Sequence, residues 1–188
     1  MASNDRQIVV AMVTTYFRIA ALVACIGVLS TIAQAQQARG PVTNLPLPRF
    51  VSMKTGEGNV RRGPSLTHRI DWVFKRRDMP LQITAEYGHW RRVQDREGAG
   101  GWVHYALLSS KRTVIVEYEP AEPQNEDTWL PLLMKPDPRA PVNARIQNGV
   151  IARLGECNVD WCRITAEKNR GWVPRKVLWG LAPGEVRE

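Results

Sequence analysis

The stretch that decides the fold occurs twice. It reads first as His89-Trp90-Arg91-Arg92-Val93 with a following Gly101-Trp102-Val103, and again as Asp160-Trp161-Cys162-Arg163-Ile164 with a following Gly171-Trp172-Val173. The two copies are offset by about 70 residues, and a repeat of that length governs the architecture. In each copy a Trp-x-Arg-aliphatic segment leads through a turn to Gly-Trp-Val. A short apolar pair then follows, Leu107-Leu108 or Val177-Leu178. Upstream, Arg61-Arg62-Gly63-Pro64 leads into Trp72-Val73-Phe74, and Pro136-Asp137-Pro138 leads into Val150-Ile151.

Working outward, the segments between turns are rich in β-branched and aromatic residues: Trp72–Lys75, Leu81–Ala85 and Val114–Val116. Asp78-Met79-Pro80, Glu97-Gly98 and Gly100-Gly101 punctuate them. Past the first 35 residues, no apolar stripe is long enough for a packed helix. Short strands at regular spacing predict an all-β fold of small barrels or sandwiches. A unit of this size is marginal alone, which predicts contact between the copies.

Asn59-Val60-Arg61-Arg62-Gly63-Pro64, Trp90-Arg91-Arg92-Val93 and Gly101-Trp102-Val103 together resemble bacterial SH3 domains. The second copy resembles them through Trp161-Cys162-Arg163-Ile164 and Gly171-Trp172-Val173-Pro174, but has Met134-Lys135-Pro136-Asp137-Pro138 in place of Asn-Val-Arg. The whole looks like exported tandem bacterial SH3 proteins of proteobacteria. The resemblance implies a five-stranded bent barrel per copy, and a binding or targeting role rather than catalysis. Bacterial SH3 domains often accompany cell-wall enzymes and engage wall peptides.

The chain has 188 residues, 26 Lys and Arg against 18 acids, a net charge of +8, and is 44% hydrophobic. That balance excludes wholesale disorder. At its start, Arg6 and Arg18 precede the apolar run Ile19–Leu29, and Ala33-Gln34-Ala35 follows. This order predicts a secretory signal peptide over 1–35, cleaved after Ala35, hence an exported, periplasmic protein with no membrane span after cleavage. Two alternatives are an uncleaved anchor over 8–29, with Arg18 inside it at a cost, and a lipoprotein box at Leu22-Val23-Ala24-Cys25. The predicted layout continues with an extended leader over 36–49 and a first barrel over 50–118. An acidic, Pro-containing linker over 119–128, a second barrel over 129–182 and a tail over 183–188 complete it.

Removal of the signal peptide leaves Cys157 and Cys162 as an even pair, and a structural disulfide across a short turn is expected. His89 and His104 flank one hairpin and are read as surface residues, because no metal-ligand spacing accompanies them. No metal or other cofactor is predicted. No paired carboxylates, G-x-S-x-G or phosphate loop selects a catalytic site.

Four basic pairs or triples in the first copy are read as a solvated surface, with an anionic partner as the sharper alternative. Export argues against nucleic acid. The predicted ligand groove is lined by Trp72, Tyr87, Trp90 and Tyr105, with Arg61 and Arg91 at its rim. The predicted function is a non-catalytic binding module of the cell envelope, engaging peptidoglycan or a peptide. A periplasmic protein-docking scaffold is the alternative, and an accessory part of a wall hydrolase a more distant one.

Overall fold

The computed structural model describes residues 38–118 and 129–188. The expected signal peptide and the acidic stretch 119–128 lie outside the described residues. Among the described residues, no helix is long and apolar enough to cross a membrane.

The chain first lays down β1 (Arg49–Met53), β2 (Gly58–Arg61), β3 (Ile70–Phe74), β4 (Pro80–Tyr87), β5 (Trp90–Gln94), β6 (Gly100–His104) and β7 (Leu108–Ser109). These form one antiparallel sheet in the order β3-β2-β6-β5-β4-β1-β7. Next come β8 (Thr113–Val116), β9 (Trp129–Leu133), β10 (Val142–Gln147), β11 (Ile151–Cys157), β12 (Trp161–Ala166), β13 (Asn169–Pro174) and β14 (Leu178–Trp179). Their order, β10-β9-β13-β12-β11-β8-β14, is the same permutation. A one-turn 3-10 helix precedes the last strand of each sheet.

Alternation places one face of strands such as β2, β12 and β13 inward, whereas β8 is buried on both faces and β3 is buried only at Phe74. Met53, Val60, Leu81, Ile83, Val93 and Val103 from five strands meet in one core. Leu132, Leu154, Cys162, Ile164 and Val173 meet in the other. A single sheet surrounds a common core only by folding over on itself. The sheets hold seven strands rather than five, and their end strands do not pair with one another, so neither barrel closes.

Both sets of Gly-Trp-Val owe their glycine to this folding. A Cβ on Gly101 would stand 2.7 Å from the Arg61 carbonyl oxygen. One on Gly171 would stand 2.6 Å from the Leu132 Cβ and 3.0 Å from the Leu133 carbonyl oxygen. Here β6 crosses to β2, and β13 to β9, through single register pairs, Arg61 with Trp102 and Leu133 with Trp172.

The structure corrects two boundaries. Thr113–Val116 was expected to close the first barrel, but it pairs with β11 and β14 and opens the second. The acidic stretch therefore follows and precedes strands of one sheet, instead of joining two barrels. The leader was expected to run extended. Its residues 38–47 instead turn back on themselves, with the N–H of Gly40 donating to Leu45 O and that of Leu47 to Ala38 O.

The turn of the leader closes over Glu86. The carboxylate accepts from the Val42 and Thr43 N–H groups (3.1 and 2.9 Å) and from the Thr43 hydroxyl (2.7 Å). It pairs with Arg49 at 2.6 Å and Arg91 at 3.5 Å. Glu86 faces Arg91 across β4 and β5. In the second sheet the same cross-strand position holds Cys157 opposite Cys162, joined as a disulfide. A terminal segment docks there too: Cys157 forms a bridge with Arg187, and Glu185 pairs with Arg112 at 2.6 Å. Each copy thus fastens one hairpin at the matching position, by a buried ion pair in the first and a covalent bond in the second, and a flanking segment docks beside it through hydrogen bonds. Closing so short a loop is worth about 2 kcal/mol in the chain-entropy model. The double variant Cys157→Ser/Cys162→Ser should lose about that much in a denaturant titration, with the loss confined to the second sheet.

All described residues lie in one compact unit. Phe50 of the first sheet meets Trp179 of the second edge-on, with ring centroids 5.3 Å apart, and the Arg112 guanidinium lies 5.5 Å from the Phe50 centroid. The contact between copies that the small unit size predicted is therefore present, and Trp179 serves it.

Candidate ligand-binding surfaces

The six residues expected to line a groove do not form one surface. Tyr87, Trp90, Tyr105 and Arg91 gather at one end of the first sheet. The β4–β5 turn sets Tyr87 opposite Trp90, and β6 sets His104 opposite Trp90. The N–H of Tyr105 donates to His89 O at 2.9 Å, fastening the 3-10 turn to that hairpin. The rings of His89, His104 and Tyr105 stand 5.0 to 5.9 Å apart, tilted 34 to 44°. Trp90 meets His104 edge-on at 5.5 Å. Tyr87 and Tyr105 are 64% and 49% exposed, whereas Trp90 is buried. The result is an aromatic platform of His89, His104 and Tyr105 beside the buried Trp90, with exposed Tyr87 opposite Trp90 in register but in no ring contact.

The two arginines have other tasks. Arg91 is buried, pairs with Glu86, donates to Gly88 O and Trp90 O, and lies 5.9 Å from the Tyr105 ring centroid. It supports the platform from beneath. Arg61 donates from one guanidinium nitrogen to Leu66 O and His68 O, and so braces the β2–β3 loop. Trp72 is 53% exposed on β3, an end strand of the sheet, beside exposed Ile70 and Val73. No ring contact joins it to the platform.

A second surface, not singled out from the sequence, repeats in both copies. Arg92 lies opposite Trp102 and Arg163 opposite Trp172. The Arg163 guanidinium stands 6.0 Å from the Trp172 centroid. In the first copy this face borders a groove of about 610 Å³ with Arg61, Arg62 and Thr84. In the second it borders about 230 Å³ with Asn143 and Arg170. The repeated Trp-x-Arg and Gly-Trp held the signal: strand alternation puts that Arg and that Trp on one side.

The shifted carboxyl groups are all held by arginine. Burial would raise Glu86, but hydrogen bonds from Thr43, Arg49 and Val42 bring it from 4.5 down to about 2. Burial likewise acts to raise Glu185, and Arg112 and the Ala182 N–H outweigh it and lower it. Arg69 and Arg62 lower Asp71. Each stays an anion at neutral pH. Among the described residues, no three His, Cys, Asp or Glu side chains gather as a metal site.

Two copies of one folded-over antiparallel sheet, each with its own core, define a tandem of small SH3-type domains. The bacterial SH3 domain model matches residues 54–110 and 126–180, more than half of the chain, and the chain belongs to that family of binding domains. No curated protein matches it. Among solved structures it is similar to NlpC2 from Trichomonas vaginalis, at 12% identity over 70% of this chain and 48% of that one, with a TM-score of 0.30. It is also similar to NlpC1 from the same organism, at 11% identity over 78% of this chain and 47% of that one, with a TM-score of 0.29. The chain thus spans under half the length of these proteins.

Proposed function

We propose that this chain is a non-catalytic, exported binding module of the cell envelope, engaging peptidoglycan stem peptide or another peptide through the first domain. The observation that carries this reading is the aromatic platform. Tyr87, His89 and Tyr105 are exposed, yet their backbone is fixed by the hairpin and the 3-10 turn. Rigid rings lose little entropy on binding and offer a flat seat for a peptide's apolar side chain or backbone. In the second copy the matching positions are Asn158, Asp160 and Arg175, so the platform belongs to the first domain alone. The disulfide is consistent with an oxidising compartment.

The experiment is a pull-down of residues 36–188 on insoluble peptidoglycan at low and high salt. Retention that survives high salt is expected, and Tyr87→Ala/Tyr105→Ala should weaken it about tenfold, as loss of paired aromatic anchors does. Retention lost in salt, or unchanged in the double variant, would remove the platform from the reading. Protein docking is the second reading, favoured by Ile70, Trp72 and Val73 exposed along the end strand β3. An unpaired strand edge beside apolar side chains is a template for another chain.

A further inference from the structure

The turn between β3 and β4 carries Lys75-Arg76-Arg77-Asp78. Its last residue is pinned to the second domain. Asp78 O accepts from the Thr113 hydroxyl at 2.7 Å, and its carboxylate accepts from Lys111 at 2.8 Å. The Arg76 guanidinium reaches towards Gly149 O at 3.5 Å. This anchoring brings Arg76 and Arg77 to the rim of a cleft of about 490 Å³ whose other walls come from the second domain. Trp129, Arg145 and Glu167 border it, and Val150 and Ile151 supply apolar surface.

The arrangement does little for the fold. Trp129 is 46% exposed. Arg77 and Arg145 are exposed and enter no ion pair among the described residues. Two carboxylates also line the cleft, Asp78, which Lys111 holds, and the exposed Glu167, so Arg76, Arg77 and Arg145 leave it a positive excess, and like charges converging on one cleft repel. The cost is recovered when an anion enters. Guanidinium groups take carboxylates in bidentate fashion. The indole and the aliphatic wall need an apolar group as well. A bare polyanion would leave that wall wet, and a neutral apolar ligand would leave the arginines unmatched.

We propose that this cleft binds an acidic peptide segment bearing an apolar side chain, at a site completed by arginines from both domains and separate from the aromatic platform. It does not depend on the wall-binding reading. The test is fluorescence anisotropy of residues 36–188 with a labelled Glu-rich peptide carrying one central leucine. Trp129→Ala, and separately Arg77→Glu, should each weaken binding about tenfold, as loss of an anchor or reversal of a contact charge does. Both positions are exposed, and circular dichroism would verify that the variants fold. Leucine→serine in the peptide should weaken binding too, and Tyr87→Ala/Tyr105→Ala should leave it unchanged. The proposal is overturned by no binding to the wild-type protein, by equal binding by Arg77→Glu, or by displacement by dextran sulfate as effective as by unlabelled peptide. The last would make the cleft a reader of charge alone. Loss in the tyrosine variant equal to that in Trp129→Ala would likewise sink it, by placing the peptide on the platform.

Discussion

Glu86→Ala should destabilise the first domain by about 3–5 kcal/mol, the range for removing one partner of a buried ion pair. Its side chain is fully buried, and those of Arg49 and Arg91 are 17% and 9% exposed. Removal takes the carboxylate from Arg49 and leaves Arg91 only the Gly88 and Trp90 carbonyls, with little water to take over. It also frees the Val42 and Thr43 N–H groups, so the leader should become cleavable by protease near Thr43. The pH dependence has a definite sign. The folded value, about 2, lies below the ordinary 4.5. The stabilisation is therefore present above pH 4.5 and is lost as pH falls through 2. The shift corresponds to about 3 kcal/mol, in line with the mutational range. Glu86→Gln should show a flatter stability profile between those limits. A wild-type acid transition reproduced unchanged in Glu86→Gln would show that another carboxylate governs it.

Gly171→Ala and Gly101→Ala should each cost about 3 kcal/mol, at the upper end of overpacking effects. The added methyl would meet backbone atoms, the Leu133 and Arg61 carbonyl oxygens, as well as the Leu132 Cβ. A carbonyl in a ladder cannot rotate aside as a side chain can. Relief requires the β9–β13 or β2–β6 crossing to part, and each crossing rests on a single register pair. Domains are stable by only about 5–15 kcal/mol, so either change removes a large share. Thermal unfolding of the two variants would check this. A fall in Tm of under a degree in both would mean that the crossing opens without penalty.

The repeat, the all-β class and the disulfide were legible because each rests on local pattern. Two Trp segments and two Gly-Trp-Val segments fix the hairpins, and a five-residue spacing across a turn lets Cys157 meet Cys162. Thr113–Val116 was misplaced because pairing partner is not local. Its four buried residues read equally well as the last strand of one copy or the first of the next. The stretch of sequence between the first two strands is also far longer in the second copy, so the offset of about 70 fails there, and single-sequence periodicity cannot align it.

Arg91 was placed at a rim against its own parity. It shares a strand face with Val93, a core residue, and its counterpart in the repeat is the buried Cys162. Arg92 is the outward member, as its counterpart Arg163 also faces Trp172. The aromatic platform was half legible. Tyr87, Trp90 and Tyr105 were singled out, whereas His89 and His104 were passed over for lacking ligand spacing, a test for metals and not for stacking. The cleft at Trp129 was out of reach, since its arginines are brought from another domain by contacts of Asp78 that no motif announces.

The two fastenings at the matching hairpin positions answer to different chemistry. Acid strips the charge from Glu86 and leaves the cystine untouched. A thiol reductant opens the cystine and leaves Glu86 charged. The halves of this protein therefore have separate fuses. In an acidified oxidising medium the first domain and its aromatic platform should loosen, while the second loses its Glu185–Arg112 pair but keeps its cystine. In a neutral reducing one the order reverses, and the second domain weakens first. Installing cysteines at both Glu86 and Arg91 would give the two halves one common vulnerability, and would transfer the acid response of the first domain to reductant.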